Sequence, residues 1–341
     1  MAELLTDYGL FLLEAVTIVA AILVVIAAGA AIGRRATAHE GLEVESLNKK
    51  YRTLAAAIRR AILDKSAWKA AAKAEKARDK RESKSGKRRP RVFVLDFKGD
   101  LKASAVGSLR QEIGAILEVA GPDDQVVVRL ENYGGVVHEH GLGGSQLARI
   151  RSAKLPLTVC VDKVAASGGY LMACVADRIV AAPFAILGSI GVIAQLPNFN
   201  RLMDGHGIDW EMITAGEYKR NVTMFGRNTD ADRAKLKAEL EDVHELFKSA
   251  VATYRPNLDL GKVATGEHWY GTRALDLGLA DELKTSDELL AELAEERDLY
   301  RVSYKTRKHL KQRLLANVDD ALERAEAAGW RRRFESRLPR L

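Results

Sequence analysis

Cysteine is almost missing from this chain. There are two in 341 residues, Cys160 in an apolar strand pattern and Cys174 in an apolar helix pattern. Both read as reduced packing residues, so they say little about redox compartment. No His-Glu-x-x-His run occurs, and His138-Glu139-His140 has its histidines only two apart, the wrong spacing for a zinc-binding helix face. The first histidine after Ser167 is His206, held between Gly205 and Gly207 in a turn pattern. Metal binding and a histidine base are therefore the weaker readings, and no metal or cofactor is expected. There is no internal repeat.

A basic stretch is also missing ahead of the longest apolar run. Residues 15–32, AVTIVAAILVVIAAGAAI, are 18 residues without a charge, and Gly9–Leu13 extend the run across Glu14. A cleaved signal peptide would begin with a basic segment and carry a shorter apolar core. The run is long enough to cross a bilayer, so residues 1–33 are expected to form an uncleaved transmembrane anchor. Arg34, Arg35 and the basic stretch beyond them favour a cytoplasmic position for the C-terminal body.

The net charge of +7 is unevenly spread. Residues 1–91 carry 19 Lys/Arg against 10 Asp/Glu, residues 301–341 carry 12 against 5, and the middle carries 22 against 31. An acidic body with basic ends is not a nucleic-acid-binding core, whose basic patch should lie on the folded domain. Basic ends fit contact with anionic membrane lipid. Residues 34–91 read as a basic linker: from 49 to 91 there are 17 Lys/Arg and 4 Asp/Glu, a composition that buries little.

The globular body is expected over 92–305. Short apolar runs at 92–97, 125–130, 157–161 and 179–182 alternate with helical spacing at 104–120, 142–152 and 168–176, which implies βα units and a mainly parallel sheet. A long helix is expected over 230–255, opened by Thr229 with Asp232 and followed by Pro256. Residues 306–341 read as a basic amphipathic tail.

Within this body, Ala165-Ala166-Ser167-Gly168-Gly169-Tyr170 stands out. A serine on a small-residue turn between an apolar strand and a helix has its hydroxyl presented for attack, and the Gly168 N–H can meet the developing oxyanion. Gly134-Gly135, after the strand at 125–130, can offer a second backbone donor. Lys219, 52 residues after Ser167 in Thr-Ala-Gly-Glu-Tyr-Lys, is a candidate general base. It must be uncharged to act so, and burial in an apolar pocket favours that form. Ser189 in Gly-Ser-Ile-Gly can accept a hydrogen bond from the lysine. Lys163 is a rival base that would have to reach around the turn. A Ser–Lys dyad, rather than a Ser–His–Asp triad, is the chemistry these pieces suggest.

Together AASGGY (165–170), LGSIGV (187–192), TAGEYKR (214–220) and VATGEHWYGTRALDLGLADEL (263–283) resemble the signal peptide peptidase A superfamily, within it the membrane-anchored SohB-type peptidases. The resemblance implies a Clp/crotonase-like ββα superhelix. It implies Ser167 as nucleophile, Lys219 as general base, Ser189 as the lysine-orienting serine, and the backbone of Gly168, Gly134 and Gly135 as oxyanion hole. It further implies a single-pass protein of the bacterial inner membrane, assembled as a homo-oligomer, that cuts membrane-associated peptides such as signal-peptide remnants. One departure is visible: Asn132-Tyr133 stand where the family usually has Ser-Pro before the glycines. An acyl-CoA enzyme on the same fold and a catalytically silent membrane scaffold are the competing functional classes.

Overall fold

The computed structural model describes residues 41–84 and 89–306, with Thr17 and Val19 besides. Thr17, Val19 and Thr306 apart, the expected anchor over 1–33 and the expected tail over 306–341 lie outside the described residues. Among the described residues no helix is long and apolar enough to cross a membrane.

The chain runs β1 (Gly41–Ser46), α1 (Leu47–Ile62), α2 (Lys65–Lys84), β2 (Arg91–Lys98), α3 (Val106–Val119), β3 (Gln125–Glu131), α4 (Val137–Ser152), β4 (Leu157–Val161) and β5 (Val164–Ala166). It continues through α5 (Gly168–Ala173), β6 (Arg178–Ala181), β7 (Ile186–Gly188), α6 (Asn200–Asp204), α7 (Asp230–Tyr254), α8 (Leu260–Val263) and β8 (His268–Tyr270). Then come α9 (Gly271–Asp276), β9 (Glu282–Leu283), α10 (Ser286–Glu296) and β10 (Asp298–Lys305). Seven strands form one sheet in the order β1-β10-β2-β3-β4-β6-β9, and β5-β7-β8 form a second. From β10 to β9 every neighbouring pair in the large sheet is parallel. This is a mixed α/β architecture built on a largely parallel sheet, as expected.

The central strands are apolar on both faces because both faces are covered. Phe93, Leu95 and Phe97 of β2 pack with Val126, Val128 and Leu130 of β3 against Leu109, Ile113, Leu147 and Ile150 of α3 and α4. The alternate residues Val92, Val94 and Val127 face Leu47 of α1 and Leu289 and Leu290 of α10. The period of two along each strand thus sorts the core into two layers. Cys160 and Cys174 are free and buried within these layers, and burial pushes both thiols up to about 12.

Two boundaries differ from the sequence reading. The compact unit spans Leu42–Tyr304, so it reaches upstream of Val92 into the basic stretch. A few residues account for that: Leu47 is buried, and the Asn48 carboxamide donates to Ala294 and Arg297 carbonyls and accepts the Leu299 N–H at 2.7 Å. Composition averaged over the whole basic stretch hides such anchors. Helix α4 also begins earlier, at Val137, because its glycines serve packing rather than a loop. A Cβ at Gly143 would sit 2.9 Å from the Met172 sulfur on α5.

The long helix α7 carries the expected capping box, with Thr229 and Asp232 exchanging side-chain-to-backbone bonds. At its other end Arg255 pairs with Asp281 at 2.7 Å, while Asp281 also accepts the Ile179 N–H at the edge of β6. Burial works against the Asp281 charge, but the Arg255 guanidinium and the Ile179 N–H outweigh it and hold the carboxyl below its ordinary range. The Tyr170 hydroxyl donates to the Leu279 carbonyl at 3.2 Å, tying the AASGGY turn to the LGLADEL segment.

Candidate active site

Strand β5 ends at Ala166 and helix α5 starts at Gly168, leaving Ser167 alone to make the turn. Its backbone sits at φ 53°, ψ −122°, a conformation an L-residue avoids. Such strain costs on the order of 1–3 kcal/mol and persists only where surroundings over-determine it. They do so here: the Ser167 N–H donates to the Gly188 carbonyl at 2.8 Å, its own carbonyl accepts the Leu171 N–H at 3.0 Å, and Ala166 N–H donates to the Asn132 carbonyl at 3.0 Å. Ser167 is half-buried on a fully buried platform. As the first residue of α5, Gly168 has an N–H without an intrahelical acceptor.

The Gly134-Gly135 turn lies directly against this serine. Gly134 has φ 88°, and a Cβ there would come within 2.7 Å of the Ser167 Cβ and 2.9 Å of the Gly168 nitrogen. No side chain fits. At Gly135 a Cβ would collide with the Leu101 carbonyl. The Gly134 N–H donates to the Asn132 Oδ1 at 2.9 Å, so in this arrangement it is already occupied. The fold therefore brings Ser167, Gly168 and Gly134 into one cluster.

Ser189 arrives at the same end of the second sheet. Ala166 of β5 is registered with Gly188 of β7, so Ser167 and Ser189 each follow the last residue of two paired parallel strands. Ser189 shares the unusual backbone, at φ 52°, and its N–H donates to the Glu267 carbonyl at 2.6 Å.

Lys219 is placed differently. It closes a turn in which its N–H donates to the Gly216 carbonyl at 3.2 Å, and the residue is exposed. The apolar shelter expected around it is not supplied by the described residues of this chain. The segment between β7 and α7 exposes Ile193, Leu202, Ile213 and Tyr218, with Ile213 at 95%. The rival Lys163 donates to Glu131 at 3.0 Å, and this bond raises its pKa, which keeps it charged and unsuited to act as a base.

Of the other groups weighed in the sequence, His138 is exposed beside Glu139 while His140 is fully buried, so the two do not share an environment. His206 is exposed, with Nδ1 2.7 Å from the Leu202 carbonyl oxygen. Among the described residues no group of three His, Cys, Asp or Glu side chains is arranged to hold a metal. Two residues near the serine were given no role by sequence reasoning. His268, paired across β7–β8 with Gly188, has its pKa lowered by burial. Asn132 is fully buried beneath the glycine turn. The only sequence signal for Asn132 was its departure from the usual Ser-Pro.

Family models match the chain over most of its length: "Peptidase family S49 N-terminal" over residues 3–147 and "Peptidase family S49" over 149–300. The probable protease SohB of Haemophilus influenzae is 44% identical over 321 residues, covering 90% of this chain and 91% of the relative. The probable protease SohB of Buchnera aphidicola subsp. Acyrthosiphon pisum is 54% identical over 228 residues, covering 67% and 68%. Among solved structures, a mutant of the 1510-N membrane-bound stomatin-specific protease in complex with a substrate peptide aligns over 68% of this chain and 99% of that one, with 14% identity and a TM-score of 0.42. On the family matches and the extent of these sequence relatives, the chain belongs to peptidase family S49, as a SohB-type peptidase.

Proposed function

We propose that this peptidase is a membrane-anchored serine endopeptidase working without a cofactor through a Ser167–Lys219 dyad. The observation that carries the reading is the strained Ser167 turn, packed against Gly134 and followed at once by the Gly168 N–H. Ser167 Oγ attacks the scissile carbonyl carbon while neutral Lys219 Nζ takes the hydroxyl proton. The Gly168 N–H and a donor from the Gly134-Gly135 turn stabilise the oxyanion. Collapse of the tetrahedral intermediate breaks the C–N bond, and the lysine hands its proton to the leaving amine. Water then attacks the acyl-enzyme, giving its proton to Lys219, and the released Ser167 oxygen is reprotonated. Ser189 orients the lysine.

The exposure of Lys219 and of the apolar side chains around it leads us to assign this segment to a contact between copies of the chain. A neighbouring subunit would exclude water from the amine, as the base role requires. Exposed apolar surface on this scale marks an interaction site. The segments are then an anchor at 1–33, a basic stretch from 34 that packs onto the peptidase domain from Leu42 onward, the body of that domain to 305 and a basic tail at 306–341. The apolar run at 15–32 supports a single-pass inner-membrane protein with its body on the cytoplasmic side, and substrates among membrane-associated peptides such as signal-peptide remnants.

In the full-length protein, Ser167→Ala and Lys219→Ala should each abolish peptide cleavage while circular dichroism stays unchanged. Turnover retained by the purified Lys219 variant would refute the dyad. Labelling of Ser167 by a serine-directed fluorophosphonate should require the oligomer. Thioester hydrolysis without peptide cleavage would instead favour an acyl-CoA enzyme.

A further inference from the structure

Asn132 is fully buried, and both polar atoms of its carboxamide have a partner. Its Oδ1 accepts the Gly134 N–H at 2.9 Å and lies 3.2 Å from His140 Nε2, and its Nδ2 donates weakly to the Met172 sulfur at 3.4 Å. Reversing the amide would set its NH2 against the Gly134 N–H, donor against donor, so the turn itself fixes which way the oxygen points. His140 is equally buried, one turn into α4, with Nδ1 2.9 Å from the Val136 carbonyl oxygen. Both ring nitrogens face oxygen acceptors, so a neutral ring can donate to only one of them. With its proton on Nε2 it gives Asn132 Oδ1 a second donor, and Nδ1 then makes no hydrogen bond to the Val136 carbonyl.

The pair sits immediately behind the reacting atoms. A Cβ at Gly168 would lie 2.5 Å from His140 Cγ, and one at Gly169 would collide with the Asn132 carbonyl. A Cβ at Gly99 would collide with the Asn132 carboxamide. Gly168 and Gly99 therefore clear space for the two side chains, and Gly169 for the Asn132 backbone. Tyr133, by contrast, is exposed. The hydrogen bond from the Gly134 N–H to the buried Asn132 carboxamide is the means the fold offers to hold this turn rigid.

We propose that Asn132 and His140 are positioning residues for the oxyanion loop. Asn132 clamps the Gly134 turn against Ser167, and His140 locks the Asn132 carboxamide. This rests on the serine-peptidase reading above, and its test separates the two. In the full-length detergent-solubilised protein, kcat and KM for a peptide substrate and the inhibition constant of a peptide aldehyde, which forms a tetrahedral adduct, would be measured. The set comprises wild type, Ser167→Ala, Asn132→Ala, His140→Phe, His140→Gln and the exposed control His138→Ala.

A displaced oxyanion donor should lower kcat roughly 10- to 100-fold in Asn132→Ala and His140→Phe, because small misplacements near reacting atoms cost about that much. KM should hardly move, and aldehyde affinity should fall in step with kcat. His140→Gln, which keeps a donor for Asn132, should recover part of the loss, and His138→Ala should match wild type. A merely structural role would lower Tm and the fraction of labelled Ser167 but leave kcat per labelled site and aldehyde affinity unchanged. That outcome would overturn the proposal. Activity surviving in Ser167→Ala would overturn the peptidase mechanism instead, whatever the loop variants did.

Discussion

The Ser167 turn and the Lys219 turn are built on opposite principles. Around Ser167, two paired strands, a short helix and a glycine turn converge so tightly that an added methyl group at Gly134 would strike the serine. Around Lys219, the chain runs from β7 to α7 with one short helix and leaves apolar side chains such as Ile193, Leu202, Ile213 and Tyr218 exposed. One half of the proposed dyad is thus complete within a single fold. The other waits for something to cover it. Under the proposed dyad this division makes activity depend on assembly, because Ser167 alone lacks a sheltered base.

That contrast can be broken experimentally, and the largest effect should come at its rigid side. Gly134→Ala places a Cβ into occupied space at φ 88°, so peptide turnover should fall at least as far as on losing one oxyanion donor, roughly 10²–10³-fold. Near-normal kcat in that variant would mean the turn is not part of the site. On the open side, Ile213→Asp should shift the protein to smaller species in native mass spectrometry and remove activity in parallel. Full activity from a monomeric Ile213 variant would remove the need for a neighbour.

Smaller effects sharpen the same comparison. Ser167→Gly should abolish cleavage yet raise stability by about 1 kcal/mol in chemical denaturation, because glycine tolerates the backbone that serine is forced into. No gain would mean the strain is not stored there. Arg255→Ala should destabilise the fold by roughly 1–3 kcal/mol, the range for a charged hydrogen bond. Its pH dependence has a definite sign. Asp281 has a lowered folded pKa, so its stabilisation is present above the unfolded carboxylate range and fades as pH falls through the folded value. Thermal melts of wild type and Arg255→Ala should therefore converge on acidification. Least affected should be Lys163→Ala, with unchanged turnover, since that lysine is solvated and paired with Glu131.

Much of this was legible in the residues. The apolar runs of β2, β3, β4 and β6 and the Thr229–Asp232 cap are local signals, set by side-chain periodicity and capping chemistry, and the structure places them where the pattern does. The AASGGY turn was also readable, because only small residues fit a strand-to-helix reversal of this tightness. Less legible was α1, whose basic composition masks the contacts of Leu47 and Asn48 with elements at the far end of the domain, Asn48 and Leu299 being 251 positions apart.

By itself the sequence determined the α/β class, the family and the strand-to-helix turn at Ser167, since each depends on short-range pattern or on motifs in order. Only the tertiary structure decided that Gly134 abuts Ser167, that Asn132 and His140 stand behind the Gly134 turn, and that the described residues of the chain leave Lys219 uncovered. Those are matters of which surfaces meet across long sequence separations, and burial, unlike periodicity, is a property of the assembled body.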